Sequence, residues 1–149
     1  MTTLELRPAR PADLDAIIGL LDASALPSCD LTTDKLLGFV TATVGVQLVG
    51  VAGIEPMGCA GLIRSLAVAP AHRGSGIGQR LVAQCEADAR EAEIEALYLL
   101  TTSADAYLRR LGYVAVPRSD VPEDVAGHAQ FKGMCPASAK CLMKSLSEP

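Results

Sequence analysis

Residues 62–90, LIRSLAVAPAHRGSGIGQRLVAQCEADAR, constrain the fold more than any other stretch of the chain. LIRSLAV is an apolar, β-compatible run ended by Ala69-Pro70. Then comes Arg73-Gly74-Ser75-Gly76-Ile77-Gly78, and from Ile77 the apolar period becomes helical. Ile77, Leu81, Val82 and Cys85 fall on one face. The glycines therefore sit at a helix N-terminus, where the first backbone N–H groups lack internal partners and the helix dipole is positive. Without side-chain bulk an anion can approach those groups closely, and Arg73 adds a fixed positive charge. The stretch reads as a strand, a diphosphate-binding turn and a helix. It is not a Walker turn, because no Gly-Lys-Ser/Thr follows. It also differs from a dinucleotide fingerprint, because two hairpin strands, not a repeated βαβ unit, precede it.

The flanking sequence supplies those strands and the elements around them. Leu4–Pro8 alternates and ends in proline, as an edge strand does. Pro11-Ala12-Asp13 starts a helix that Leu14, Ile17, Ile18 and Leu21 carry, at amphipathic spacing, to about Ala23. A short helix is expected over Asp34–Leu37. Leu36–Ile54 is uncharged and long enough to span a bilayer. Its Val and Thr content and its glycines read better as two buried strands, Phe39–Thr43 and Val46–Ile54, with a turn at Val44-Gly45. Pro56-Met57-Gly58 makes another turn before a strand over Cys59–Ala69. After the long helix come a strand over Leu97–Thr101, a helix over Ala104–Leu111 stopped by Gly112, and a strand over Tyr113–Val116. A helical turn is expected over Pro122–Ala126 and a last strand within Ala137–Leu146. The order predicts an α/β domain with a mixed sheet and helices on its faces.

Half of the 149 residues are hydrophobic, but aromatics make up only 3%, so the core must be aliphatic and no stacking platform for bases exists. A net charge of −4 gives no electrostatic footprint for nucleic acid. The chain suits one domain of residues 1–149. No apolar leader is seen, so a cytoplasmic protein with no membrane association is expected. Five cysteines, Cys29, Cys59, Cys85, Cys135 and Cys141, are an odd number without C-x-x-C spacing, as reduced thiols are. No metal site is expected.

The chain resembles the GNAT superfamily of acetyl-CoA-dependent N-acetyltransferases. Leu66-Ala67-Val68-Ala69-Pro70 and Arg73-Gly74-Ser75-Gly76-Ile77-Gly78 match that family's strand and its Arg/Gln-x-x-Gly-x-Gly/Ala turn. Leu97–Thr102 and Leu108–Tyr113 match its next strand and helix. Arg64–Val68, Leu99–Thr102 and Cys135–Ala139 are further similar to arsenic-resistance-associated N-acetyltransferases, relatives of enzymes that acetylate arsinothricin or phosphinothricin. The same R-S-L-A-V and L-T-T also resemble the acetyltransferase domain of N-acetylglutamate synthases. The resemblance implies a GNAT fold, with acetyl-CoA as co-substrate and an anionic, amino-acid-like amine as acceptor. A homodimer is compatible with the sequence but not fixed by it.

By that resemblance, Leu66, Ala67 and Val68 offer main-chain groups to the pantetheine arm. A bulged or splayed strand would free them, and the Val68 N–H is the candidate oxyanion donor. Arg73 and the amides of residues 74–78 would take the diphosphate. Glu55, the one acidic residue between Asp34 and Glu86, is the candidate base if burial raises its pKa, and otherwise a solvated turn residue. Arg64, inside an apolar strand, needs a partner: either Glu55 or an acceptor carboxylate, arsinate or phosphinate, the latter being favoured. Alternation places Arg64 with Leu62 and Leu66 and opposite Ile63, Ser65 and Ala67. Ser65, Thr101 and Thr102 are candidate substrate contacts. So is His128, in a loop with Gln130, Lys132 and Cys135 that could cover the acceptor. The family's general-acid tyrosine falls on Leu108 here. Tyr107 lies one residue earlier, about 100° around the helix; it is left either to protonate the thiolate or to pack on the coenzyme. The competing classes are an N-acetylglutamate synthase-like enzyme and a catalytically silent acyl-CoA-binding module.

Overall fold

The structure is a computed structural model that describes residues 3–128, 130–134 (without the side chains of 133 and 134) and 138–146. Its elements are β1 (Leu4–Pro8), α1 (Leu14–Ala23), β2 (Phe39–Val44), β3 (Gln47–Met57), β4 (Ala60–Val68), α2 (Ile77–Glu91), β5 (Ala96–Thr101), α3 (Asp105–Arg110), β6 (Val114–Ala115), α4 (Glu123–Ala126) and β7 (Lys140–Ser145). The strands form one mixed sheet in the order β1-β2-β3-β4-β5-β7-β6. All neighbours are antiparallel except β4 and β5.

The uncharged stretch that could have spanned a membrane is the β2–β3 hairpin. Its turn falls on Gly45-Val46, one residue later than expected, because Val44 still pairs with Gln47 and Gly45 takes the positive φ. Among the described residues no helix is long and apolar enough to cross a membrane. β3 continues through Pro56-Met57, which the sequence suggested as a turn, since Pro56 still pairs with Gly61. Gly58, at φ +64°, makes that turn instead. The helix expected over Asp34–Leu37 is a 3-10 turn over Lys35–Gly38, and Pro11–Asp13 is another leading into α1. The strand expected over Tyr113–Val116 shrinks to β6, because the Tyr113 ring is buried in the core rather than alternating.

Each face of the sheet carries its own core. On one face the predicted stripe of α2, Ile77, Leu81, Val82 and Cys85, packs with Val49, Ala52, Ile63 and Leu97. Gly50 lets this helix approach closely: a Cβ there would meet Leu81 Cδ1 at 3.0 Å and Ile77 Cγ2 at 3.1 Å. On the other face α1 lays Ile17 and Leu21 against Phe39, Val51 and Ala67. Next to it Val121 and Val125 cover Leu62, Tyr98 and Cys141. Each buried aliphatic side chain contributes about 1.5–3 kcal/mol. This packing fixes β4 and β5 as the central strands where the sheet opens.

Candidate active site

β4 and β5 pair only from Ala60↔Ala96 to Leu62↔Tyr98. Beyond that they diverge, because each is held by its outer neighbour: β4 by β3 as far as Val68, β5 by β7 as far as Thr101. The seam between them leaves main-chain edges without a ladder partner. The Ala69 N–H donates to the Val49 carbonyl at 2.8 Å, so it points at β3. By strand alternation the Ala67 N–H does the same, and the N–H groups of Leu66 and Val68 face the seam. The Val68 carbonyl follows, accepting from Arg73 Nε at 3.1 Å.

A bulge makes this possible. Gly53 pairs with Arg64 and Val51 with Ala67, so β4 has one residue more than β3 in that interval. Ser65 holds a positive φ of 60°, which strains a residue with a side chain. The bulge also corrects the alternation read from sequence. Arg64 does share a face with Leu62, but Leu66 is turned to the opposite core with Ile63 and Val68.

The seam opens into a cleft of about 780 Å³. It is lined by Arg64, Ser65, Leu66, Ala67 and Val68, by Arg73, Gly74, Gly76, Ile77 and Gly78, and by Thr101, Thr102 and Tyr107. The structure therefore gathers nearly all the expected coenzyme residues in one place, although they come from a strand, a loop and a helix. Gly74 and Gly76 have φ of +82° and +85°, and Gly76 is the N-cap of α2. A Cβ at either would point into open space, so the main-chain conformation, not crowding, requires glycine there. Among the described residues no acceptor meets the amides of Gly74, Ser75, Gly76, Ile77 and Gly78. Ser75, outside the cleft lining, turns its Oγ to the His72 carbonyl at 2.6 Å. A row of free amides at the start of a fifteen-residue helix fits a diphosphate.

Tyr107 lines the cleft while Leu108 is buried in the core. The Tyr107 hydroxyl stands over Gly78, 2.9 Å from where a Cβ would lie, and burial pushes its pKa up. It is a proton-bearing donor beside the first turn of α2. Thr101 Oγ1 accepts from the Ala104 N–H at 2.9 Å and so shapes the turn into α3; Thr102 is exposed at the cleft.

Arg64 is 3% exposed and fully engaged by the protein. Its Nη1 donates to Asp30 Oδ2 and to Glu55 Oε2, the latter at 2.8 Å. Its Nη2 donates to Asp30 Oδ1 at 2.8 Å and to the Pro27 carbonyl at 3.4 Å, and its Nε to Ser65 Oγ at 3.0 Å. Every guanidinium N–H is thereby taken. The favoured acceptor clamp gives way to the alternative, a pair within the protein. Glu55 is that pair's partner, joined by Asp30, which the sequence reading missed.

Lys35 Nζ reaches Asp30 at 2.8 Å, and His128 Nε2 lies 3.0 Å from Glu55 Oε2. Asp30, Glu55 and His128 thus lie close enough to hold a cation, but their carboxylate oxygens already face Arg64 and Lys35. Burial would raise the Glu55 carboxyl; Arg64 and His128 outweigh it and hold its pKa below the ordinary value. The raised pKa expected of a base is therefore reversed. The Arg64 guanidinium, with Lys35 and against burial, holds Asp30 far below the usual carboxylate range. Of the other cations near the acceptor end, Lys140 pairs with Asp105 at 3.1 Å and Lys132 is exposed. Cys135, Pro136 and Ala137 lie outside the described residues.

A family model described as the acetyltransferase (GNAT) family matches residues 8–113. The chain belongs to the GNAT family. Its fold is that of GNAT structures. Similarity extends to a curated amino-acid acetyltransferase of Ralstonia nicotianae, 36% identical over 72 residues, 48% of this chain but 15% of that protein. Among solved structures, N-acetylglutamate synthase from Neisseria gonorrhoeae, complexed with coenzyme A and N-acetyl-glutamate, superposes at TM-score 0.85 and 22% identity. That match covers 99% of this chain and 36% of that one. Rv2747 from Mycobacterium tuberculosis, in complex with CoA, superposes at 0.83 and 24% identity over 96% and 99% of the two chains. This GNAT chain thus spans a minor part of its first relatives and the whole of a smaller one.

Proposed function

We propose that this protein transfers the acetyl group of acetyl-CoA to the amine of a free amino acid or a close analogue, by direct attack in a ternary complex. One observation carries the reading: the β4–β5 seam runs, edge groups exposed, into a loop of unpartnered amides beside Arg73. The loop takes the diphosphate. The pantetheine arm lies along Leu66–Val68 and adds the hydrogen bonds that β5 does not make. The Val68 N–H then faces the thioester carbonyl and stabilises the oxyanion formed when the amine nitrogen attacks its carbon. The C–S bond breaks, and coenzyme A leaves as thiolate. Tyr107, which lines the cleft, packs on the coenzyme or donates to that sulfur.

Glu55 is poorly suited to take the amine's proton, because Arg64 and His128 both engage its Oε2 and hold its pKa below the ordinary value, which makes it a weak proton acceptor. The amine instead enters neutral or loses its proton to water in the cleft. The resemblance to the Ralstonia amino-acid acetyltransferase supports an amino-acid acceptor, including glutamate as in N-acetylglutamate synthesis. Phosphinothricin and arsinothricin are the analogues that the shorter resemblance adds.

A thiol-release assay with acetyl-CoA tests the reading. The acceptors are glutamate, glutamine, other amino acids, phosphinothricin, arsinothricin and alkylamines without a carboxylate, with acetylated product identified by mass. Turnover on amino-acid acceptors and not on simple alkylamines is expected. Coenzyme binding without turnover on any amine would overturn it and favour the silent acyl-CoA-binding module.

A further inference from the structure

Two hydrogen-bonding side chains along the cleft lack a side-chain partner among the described residues. Gln130 is 4% exposed and lines the cleft, and no hydrogen bond joins its side-chain amide to another described residue. Ser24, at the end of α1, lines the same cleft, and its buried Oγ has no partner among the described residues. A buried hydroxyl left unmatched, as Ser24 Oγ is, destabilises the fold unless something else bonds it. An unsatisfied group of this kind calls for a partner, and a ligand in the cleft would supply one. Neither is near the diphosphate loop in sequence. They come from the α1–β2 connection and from the loop after α4, the segments that also bring Asp30 to Arg64 and His128 to Glu55.

The main chain of Gln130 is held in place. Its N–H donates to His128 Nδ1 at 3.0 Å. Nδ1 therefore carries a lone pair, which puts the ring proton on Nε2, where it is donated to Glu55 Oε2 at 3.0 Å. Glu55 is in turn held by Arg64 at 2.8 Å. A chain of hydrogen bonds runs from the interior of β4 to the backbone of the turn over Gln130–Met134, whose first residue lines the cleft. The guanidinium at its root has no donor left for a ligand, so acceptor recognition falls to what the chain holds in place.

We propose that Gln130 is the acceptor-contacting, specificity-determining side chain, and that His128 is a positioning residue that holds it there through Glu55. The inference rests on the acetyl transfer proposed above and assigns the acceptor end of that cleft. The Gln130 amide offers two N–H donors and one carbonyl, which suits the carboxylate and ammonium groups of an amino acid. The Ser24 hydroxyl adds a donor to the same ligand.

The test is steady-state kinetics on the full chain with acetyl-CoA and L-glutamate or L-glutamine, whichever the wild type turns over faster. Gln130→Leu keeps the side-chain size and removes the amide. Its acceptor KM is expected to rise roughly fivefold or more while the acetyl-CoA KM, which also reports folding, stays within twofold. His128→Leu should mimic it. His128→Asn, whose Oδ1 can accept the Gln130 N–H as Nδ1 does, should recover most of the loss. Unchanged acceptor KM in Gln130→Leu, or equal loss in His128→Asn and His128→Leu, would overturn the assignment while leaving the acetyl transfer standing. A wild type that binds coenzyme A but acetylates no amine would overturn both.

Discussion

Arg64 Nη1 donates to Glu55 Oε2 at 2.8 Å across β3 and β4, in a place where 3% of Arg64 remains exposed. The bond, with Asp30 on the same guanidinium, makes Arg64 part of the frame of the site. Removing one partner of a buried pair leaves the others uncompensated and costs about 3–5 kcal/mol. Arg64→Ala is therefore expected to lower the urea midpoint by that equivalent with an unchanged m-value. A loss under about 1 kcal/mol would mean that the cluster is solvated rather than buried.

The same cluster sets an acid limit on stability. Asp30 and Glu55 both have folded-state pKa values below their unfolded ones. Their contribution is complete above the ordinary carboxylate range, about pH 4–5, and is lost as pH falls through the depressed folded values. Unfolding free energy should decline below about pH 5, and less steeply in Arg64→Met, where the cause of the depression is gone. Parallel profiles for the two proteins would contradict this.

Glu55→Gln separates a frame residue from a general base. A positioned base contributes typically about 10²–10⁴-fold. Because Glu55 is occupied by Arg64 and His128, the substitution is expected to lower kcat by less than about tenfold. A loss of about a thousandfold in a protein that still binds coenzyme A would restore the base role.

Arg73 lies beside the free amides with its Nε on the Val68 carbonyl, which leaves its terminal nitrogens for the diphosphate. Charge-assisted hydrogen bonds contribute about 1.5–3 kcal/mol, so Arg73→Ala should weaken coenzyme A binding at least about tenfold by calorimetry. Thermal stability should hardly change, because the side chain is exposed. Unaltered coenzyme affinity would place the diphosphate elsewhere.

How much of this was legible in the chain depended on how local the cause was. The β4–turn–α2 unit could be read directly, because its glycines and its change of period lie within thirty residues. The hairpin was legible for the same reason, apart from a one-residue shift. The bulge at Ser65 was not, because serine carries no mark of a positive φ and the register is set by β3. Asp30 as the partner of Arg64 was invisible, since it lies in a loop 34 residues away and meets Arg64 only when α1 packs on the sheet. A second buried group, Glu86 with Tyr113 at 2.9 Å and Lys144 at 3.1 Å, was missed likewise. There α2, β7 and the end of α3 bring together residues that each read as surface or aromatic core. The lone buried arginine was the available signal, and its two readings could be separated only by counting its donors in the folded chain.

A crystal structure with coenzyme A bound tests the central claim most directly. The account predicts the diphosphate within hydrogen-bond distance, about 2.7–3.2 Å, of the amides of Gly74–Gly78, with the pantetheine arm between β4 and β5 and its sulfur end toward Val68. Coenzyme bound outside this seam, or a seam closed by β4–β5 pairing beyond Leu62, would contradict it.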